Sequence, residues 1–198
     1  IQKLTDLLVA SSENISQAMF IPWWKDDFTR AGYRYHMLEK DVIQEAGKCL
    51  ADCDRDRLFS PVGHAGFTLV HLLVWHNFHD LVEGMIREGK ITEKDINMPD
   101  HCGHGYTLLH LACSRGNLAM VRLLLEHGAG EDACDERGMN AYHFLAYPRF
   151  PEEIPVLDPV CLDNCVKQRG DIARLLACDD NRRDRDGFTP LERLLSTE

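Results

Sequence analysis

A motif of about 33 residues recurs along this chain and constrains its fold more than any other feature. The best copy runs from Gly105 to Ala129, and its first half reads Gly-Tyr-Thr-Leu-Leu-His-Leu-Ala-Cys. An earlier copy begins at Gly66, a later one at Gly138, and a shortened one at Gly187. Self-similarity at a fixed period of this length is typical of stacked repeat arrays rather than of closed domains.

The residue types within the motif predict paired helices joined by tight turns. Apolar residues at helical spacing predict buried stripes, as with Val121, Leu124 and Leu125. Gly116 and Gly128 stand where the first and second helices of the best copy should end. Glycine tolerates the positive φ of a tight turn, and each of three copies has one there: Gly105, Gly138 and Gly187. Thr or Asn suits a helix N-cap, and such a residue begins each first helix: Thr68, Thr107, Asn140 and Thr189.

This motif resembles the ankyrin repeat over roughly residues 56–196. The proline of the usual Thr-Pro-Leu-His signature remains only as Pro190, and Leu69, Leu108 and Ala141 replace it in the other copies. The resemblance implies an all-α solenoid of about four stacked helix–turn–helix units over residues 58–198. We predict that residues 1–57 form a helical N-terminal extension that caps the first repeat, because a repeat array needs closed ends.

Two segments depart from the repeat pattern. Residues 1–18 have the spacing of an amphipathic helix, and Trp23 and Trp24 follow it either as core anchors of the cap or as part of a partner site. An insertion of about residues 147–168 interrupts the third repeat and contains four prolines. We expect a short helix near residues 160–167, and we expect Gly170 to end the interruption as the counterpart of Gly116.

Composition limits the possible functions. No run of 18 apolar residues exists, so no membrane span is predicted. The formal net charge of −10 comes without a basic cluster, which disfavours nucleic-acid binding. This charge is compatible with a partner that has a basic surface, and equally with ordinary solubility. Eight irregularly spaced cysteines indicate reduced thiols and a cytoplasmic location. The start at Ile1 indicates a fragment, a processed product or a trimmed chain.

The histidines and cysteines carry the only candidates for chemistry. The resemblance implies that His71, His110 and His143 are framework residues that hydrogen-bond one repeat to the next. We expect His101, Cys102 and His104 to be exposed contact residues, with a zinc site as the alternative. Cys161 and Cys165 are expected to pack or to form a redox pair, again with a zinc site as the alternative. No nucleophile elbow, phosphate loop or His-Glu-x-x-His motif is present. We therefore expect no enzyme activity, no cofactor and no small-molecule substrate.

The resemblance implies that a protein partner binds the concave face, which the turn tips and the exposed side of each first helix would form. The matching positions are Phe67, Trp75, His76, His104, Tyr106, Ser114, Arg115, Arg137, Met139, Tyr147, Arg185 and Phe188. Trp75 is expected to be exposed, and an exposed tryptophan indicates a binding anchor. Turn packing is the alternative role for Phe67, Tyr106 and Phe188.

The predicted function is therefore that of a non-catalytic protein–protein interaction module, such as a scaffold, an adaptor or an inhibitor of a protein partner. The alternative is a regulatory or targeting segment of a larger enzyme or channel whose catalytic part lies outside this chain.

Overall fold

A computed structural model describes residues 53–62, 66–75, 77–101, 103–146, 159–177 and 179–195 of the chain. Nine helices and two short strands lie within these ranges. The first elements are α1 (Arg55–Phe59), β1 (Pro61–Val62), β2 (Phe67–Thr68), α2 (Leu69–Trp75), α3 (His79–Arg87) and α4 (Glu93–Ile96). The later elements are α5 (Leu108–Arg115), α6 (Leu118–Glu126), α7 (Ala141–Ala146), α8 (Pro159–Leu175) and α9 (Pro190–Leu195).

The helices of the repeats form two parallel rows. The first helices of successive repeats, α2, α5, α7 and α9, pack in one row, and the second helices, α3, α6 and α8, pack in the other. Each of the first three repeats also packs its two helices against each other. The helical solenoid predicted from the motif is thereby confirmed. None of the helices among the described residues has both the length and the apolarity that a membrane crossing requires.

Local sequence signals set the helix ends in the second repeat. The side chain of Thr107 accepts a hydrogen bond from the backbone N–H of His110 and caps α5. Gly116 ends α5 in the left-handed conformation at φ 67°. Asn117 then caps α6 by accepting from the N–H of Met120, and Gly128 follows this helix at φ 86°. The predicted glycine stops and threonine cap are confirmed here.

The largest departure from the sequence prediction is α8. This helix of 17 residues continues through Gly170, so Gly170 does not end a helix as its counterpart Gly116 does. Arg169 supplies a tertiary reason, because its guanidinium donates to the carbonyl of Leu145 at 2.7 Å and to that of Ser114 at 2.9 Å. These carbonyls lie in the last turns of α7 and α5, where the helix itself leaves carbonyls without partners. Arg169 thus ties α8 to two first helices at once.

Two smaller points complete the comparison. The strands β1 and β2 pair antiparallel, with Val62 opposite Phe67, and add a short hairpin to the predicted all-α architecture. The extension predicted for residues 1–57 lies outside the described residues up to residue 52, as do Trp23, Trp24 and residues 147–158 of the insertion. The boundary proposed between residues 57 and 58 falls within α1.

Candidate partner-binding surface

A buried aspartate organises the turn before each of the last three first helices. One carboxylate oxygen of Asp100 accepts from the N–H of Tyr106 at 2.9 Å, and Asp135 accepts from the N–H of Met139 at 2.8 Å. Asp184 accepts from the N–H of Phe188 at 3.0 Å. The sequence analysis missed this role. The signal was an aspartate that precedes the turn glycine by three to five residues in each copy.

Successive turns are hydrogen-bonded to one another through their backbones. The N–H of His101 donates to Gly66, that of Glu136 to His104 at 2.7 Å, and that of Arg185 to Arg137 at 2.7 Å. One such bond at each junction places the tips of neighbouring repeats side by side. We call this row of turn tips, residues 103–105, 136–138 and 185–187, the turn edge.

The framework histidines connect first helices to the next turn. His110 Nε2 lies 3.0 Å from the carbonyl oxygen of Ala133, and His143 Nε2 lies 3.1 Å from that of Phe188. The predicted structural role is confirmed for these two. His71 is also buried, but its Nε2 has no hydrogen-bond partner in the part of the chain that the structure describes. Burial lowers the pKa of both His71 and His110 to about 4.

Five of the predicted binding residues have buried side chains, which removes them from direct contact with a partner. They are Phe67, Trp75, Tyr106, Ser114 and Met139. The expectation that Trp75 is exposed is wrong, since only 2 % of this residue is accessible. The Arg115 guanidinium lies over the Trp75 ring at 5.1 Å, so the neighbouring repeat covers the indole.

Aromatic packing between repeats explains the burial of Tyr106. Its ring stacks against Phe67 at a centroid distance of 6.3 Å and meets Phe144 edge-on at 5.5 Å. Such pairs contribute about 0.5–1.5 kcal/mol beyond the area that they bury. The alternative role, turn packing, therefore holds for Phe67 and Tyr106.

The predicted residues that keep accessible surface lie mainly on or beside the turn edge. His104, Arg115, Arg137 and Phe188 are half-buried, and Arg185 is exposed. His104 pairs with Asp100 at 2.8 Å and stacks on Tyr106, while the Arg193 guanidinium lies 4.8 Å from the ring centroid of Phe188. His76 and Tyr147 lie outside the described residues.

The structure brings the proposed metal ligands together only in part. His101 Nε2 lies 3.2 Å from the Phe59 carbonyl oxygen, and His104 Nδ1 is engaged with Asp100, while Cys102 lies outside the described residues. Nothing is described of the Cys161 and Cys165 side chains. The described cysteines, which are Cys53, Cys113 and Cys134, are free thiols.

One group of three possible metal ligands occurs within the described ranges, and the sequence analysis did not identify it. His79, Asp80 and Glu83 place their ligand atoms within 4.8 Å of one another. Glu83 already pairs with Arg87 at 2.7 Å, and the cluster lies in the first turn of α3. The positive end of a helix dipole and a competing guanidinium both oppose a cation there.

The comparisons with known proteins agree with this geometry. A family model described as ankyrin repeats (many copies) matches residues 91–145. The chain is 43% identical over 67 residues to Ankyrin repeat domain-containing protein 13B of Mus musculus, which covers 34% of this chain and 10% of that protein. It is 30% identical over 132 residues to Alpha-latrotoxin-Lt1a of Latrodectus tredecimguttatus, which covers 64% of this chain and 8% of the relative.

A third relative, Ankyrin repeat protein nuc-2 of Neurospora crassa, is 31% identical over 93 residues, which is 44% of this chain and 9% of that protein. The chain thus spans about a tenth or less of the length of these relatives. The range matched by the family model, residues 91–145, includes the paired helices α5 and α6. Motif, helix pairing and relatives agree that this chain contains ankyrin repeats, which the family model matches over residues 91–145.

Proposed function

We propose that this chain is a non-catalytic protein–protein interaction module that binds its partner along the turn edge and the adjoining side chains. Ankyrin repeats are in general modules of this kind. The observation that carries the proposal is the backbone hydrogen bonding between turns, which holds His104, Arg137 and Arg185 in a row. A backbone that is already held in place loses little conformational entropy when a partner binds.

Burial narrows the predicted surface to residues that can reach a partner. His104, Arg137, Arg185 and Phe188 line the edge, and Arg115 lies at the end of α5. The buried aromatic residues behind them serve the fold. The partner surface that we propose therefore consists of these accessible residues on or beside the turn edge and excludes the packed ones.

The local charge of the turn edge refines the expectation of a basic partner. Glu136 and Arg137 occupy one tip, and Arg185 and Asp186 occupy the next, so each of these tips carries both signs of charge. A partner that fits this edge presents both signs in a matching register. The net charge of −10 acts at longer range, where it accelerates encounter with a basic surface.

The test compares two double variants with equal net charge. Glu136→Lys with Arg185→Glu reverses the edge, because both residues are exposed on neighbouring tips. Glu126→Lys with Arg122→Glu makes the same exchange on α6, where both residues are also exposed. Circular dichroism and thermal melting should show that both variants fold as the original chain does.

Each chain is then used for affinity capture from a lysate of the source organism, followed by quantitative mass spectrometry. We expect one dominant protein to be captured by the original chain and by the α6 variant, and to be lost with the edge variant. Equal capture by all three chains would contradict binding at the turn edge.

The alternative is a regulatory or targeting segment of a larger enzyme or channel. It is supported by the small share, a tenth or less, that this chain covers of its relatives. Sequencing the full transcript separates the two proposals. A further catalytic or channel-forming domain in the same polypeptide would favour the alternative, and a polypeptide of repeats alone would favour a stand-alone binder.

A further inference from the structure

The three buried aspartates that organise the turns differ in how their second carboxylate oxygen is satisfied. Asp100, Asp135 and Asp184 are almost equally buried, with exposures of 4 %, 5 % and 6 %. In each of them Oδ1 accepts backbone N–H groups of its own turn at 2.8–3.0 Å. The role of Oδ1 is therefore the same in all three turns, and the difference lies at Oδ2.

A basic side chain partners Oδ2 in two of the three turns. Nδ1 of His104 lies 2.8 Å from Oδ2 of Asp100, and Nε of Arg193 donates to Oδ2 of Asp184 at 2.8 Å. Oδ2 of Asp135 is also buried, but it has no hydrogen-bond partner among the residues that the structure describes. Burial without a partner disfavours an ionised carboxylate far more than a neutral carboxyl. The arrangement at Asp135 therefore suits the neutral form.

The charges around Asp135 act on it without pairing with Oδ2. Burial is the largest influence and raises the pKa of Asp135, the N–H groups of Met139 and Arg137 and the charge of Arg137 lower it, and the charge of Glu136 raises it. His104 on the preceding tip is engaged with Asp100, and Asp186 on the following tip is engaged with Arg193. The remaining neighbours that can carry a charge are the Cys134 thiol and the Arg185 guanidinium.

Arg137 occupies the position from which the second turn supplies its basic partner. His104 directly precedes the turn glycine Gly105, and Arg137 directly precedes Gly138. The N–H of Arg137 donates to Oδ1 of Asp135 at 2.9 Å, so the side chain of Arg137 starts beside this carboxyl group. An ionised carboxylate attracts a guanidinium strongly, because the two can form charge-assisted hydrogen bonds. Arg137 is therefore the cation that can answer ionisation of Asp135.

We propose that Asp135 is a proton-operated switch of the third turn and that the Arg137 side chain is its moving part. With the carboxyl protonated, Oδ2 has no cationic partner and the Arg137 side chain stays at the turn edge, which is the arrangement in this structure. When the proton passes to solvent, the ionised Oδ2 draws the guanidinium inwards. The resulting pair corresponds to the one between His104 and Asp100 in the second turn.

The switch changes the charge that the turn edge presents. Mild acid leaves the Arg137 guanidinium at the edge, and a higher pH withdraws it onto Asp135. Where the turn edge binds a partner, acid therefore strengthens contact with an acidic group of that partner. This last consequence rests on the proposed function, whereas the switch itself does not.

The experiment is an NMR titration of the whole chain with no partner present. The ¹³C signal of the Asp135 carboxyl, assigned by its loss in Asp135→Asn, reports ionisation, and the Nε–Hε signal of Arg137 reports the guanidinium. A carboxyl group with the ordinary pKa of about 3.9 is almost fully ionised at pH 5. We expect both signals to change between about pH 5 and pH 7 with a shared midpoint.

Matched variants separate the switch from the titration of nearby histidines. Asp135→Asn keeps an acceptor oxygen for the turn N–H groups but cannot ionise, so the Arg137 signal should lose its dependence on pH. Asp132→Asn removes an exposed carboxyl three residues earlier and should leave both titrations unchanged. Arg137→His should lower the midpoint of Asp135 by supplying the kind of partner that Asp100 has, whereas Arg185→His on the next tip should not. Circular dichroism checks that each variant is folded.

Three results would overturn the proposal. The first is an Asp135 signal that does not change between pH 5 and pH 7, which would mean that no proton is exchanged there. The second is an Arg137 signal whose midpoint differs from that of Asp135. The third is a pH dependence of Arg137 that persists in Asp135→Asn. All three are read without a partner, so a failure of the proposed function would leave this test intact.

Discussion

The stability of this array should fall steeply in mild acid because of two buried histidines. Burial lowers the pKa of His71 and of His110 to about 4, whereas histidine in an unfolded chain has a pKa of about 6.5. Between these two values the unfolded chain binds more protons than the folded one. The contribution of each histidine is therefore complete above about pH 6.5 and is lost as the pH falls towards 4.

The size of the loss follows from the shift. A difference of about 2.5 pH units corresponds to roughly 3 kcal/mol for each histidine, or about 6–7 kcal/mol for the pair. The total free energy of unfolding of a small domain is typically about 5–15 kcal/mol. Burial also lowers the pKa of His143, whereas it raises the pKa of Asp135, which opposes the effect. Three histidines against one carboxyl leave a net loss in acid.

The assay is urea denaturation followed by circular dichroism at several values between pH 8 and pH 5. In the folded chain the Thr68 N–H donates to Nδ1 of His71 at 3.3 Å. The variant His71→Asn removes this titrating group but keeps an acceptor oxygen near the same N–H. We expect this variant to be less stable at pH 8 but to have a smaller pH slope. Near pH 5 the difference in slope should be about 1.2 kcal/mol per pH unit.

His127→Asn provides the matched control, because His127 is exposed and follows α6 at the surface. It should keep the slope of the original chain. A free energy of unfolding that stays constant from pH 8 to pH 5 would refute the reasoning, and so would an unchanged slope in the His71 variant.

Three further substitutions test the packing by the same denaturation assay. Gly105→Ala should lower the free energy of unfolding by about 1–3 kcal/mol, since φ is +80° and the new Cβ would lie 3.0 Å from the backbone of Asp135. Gly84→Ala within α3 meets nothing within 4 Å and should raise the free energy of unfolding by about 0.5–1 kcal/mol. Arg169→Met should cost about 2–4 kcal/mol, and Arg174→Met, which breaks an exposed pair on the same helix, less than about 1 kcal/mol. Trp75→Ala should cost about 3–5 kcal/mol, so in a binding assay it would report unfolding.

The parts of the fold that depend on local signals could be predicted from the sequence. Thr107 and Gly116 determine the start and the end of α5 through contacts within a few residues, so the motif was sufficient there. Gly170 carried the same local signal as Gly116, but it lies inside α8. A glycine within a helix costs only about 1 kcal/mol, and the two long-range hydrogen bonds of Arg169 stabilise the continuous helix more than that.

The candidate surface was predictable in outline but not in its individual residues. The turn tips could be located from the glycines, because a turn must lie at the surface. Exposure depends on what the next repeat places over a side chain, and motif spacing holds no such information. The indole of Trp75 is covered by Arg115, which lies 40 residues later in the chain. The buried role of Asp184 is not visible in the sequence, because charged residues surround it there.

The turn glycine separates the residues that build the array from those available for recognition. A positive φ at Gly105 reverses the chain, so that Tyr106 after it enters the stack between repeats while His104 before it keeps accessible surface. Substitutions after the glycine should therefore act on the free energy of unfolding, because they remove ring packing between repeats. A substitution before the next turn glycine but one, at the exposed Arg185, should change that energy by less than about 0.5 kcal/mol. Exposed side chains on the turn tips can thus be exchanged without loss of the core.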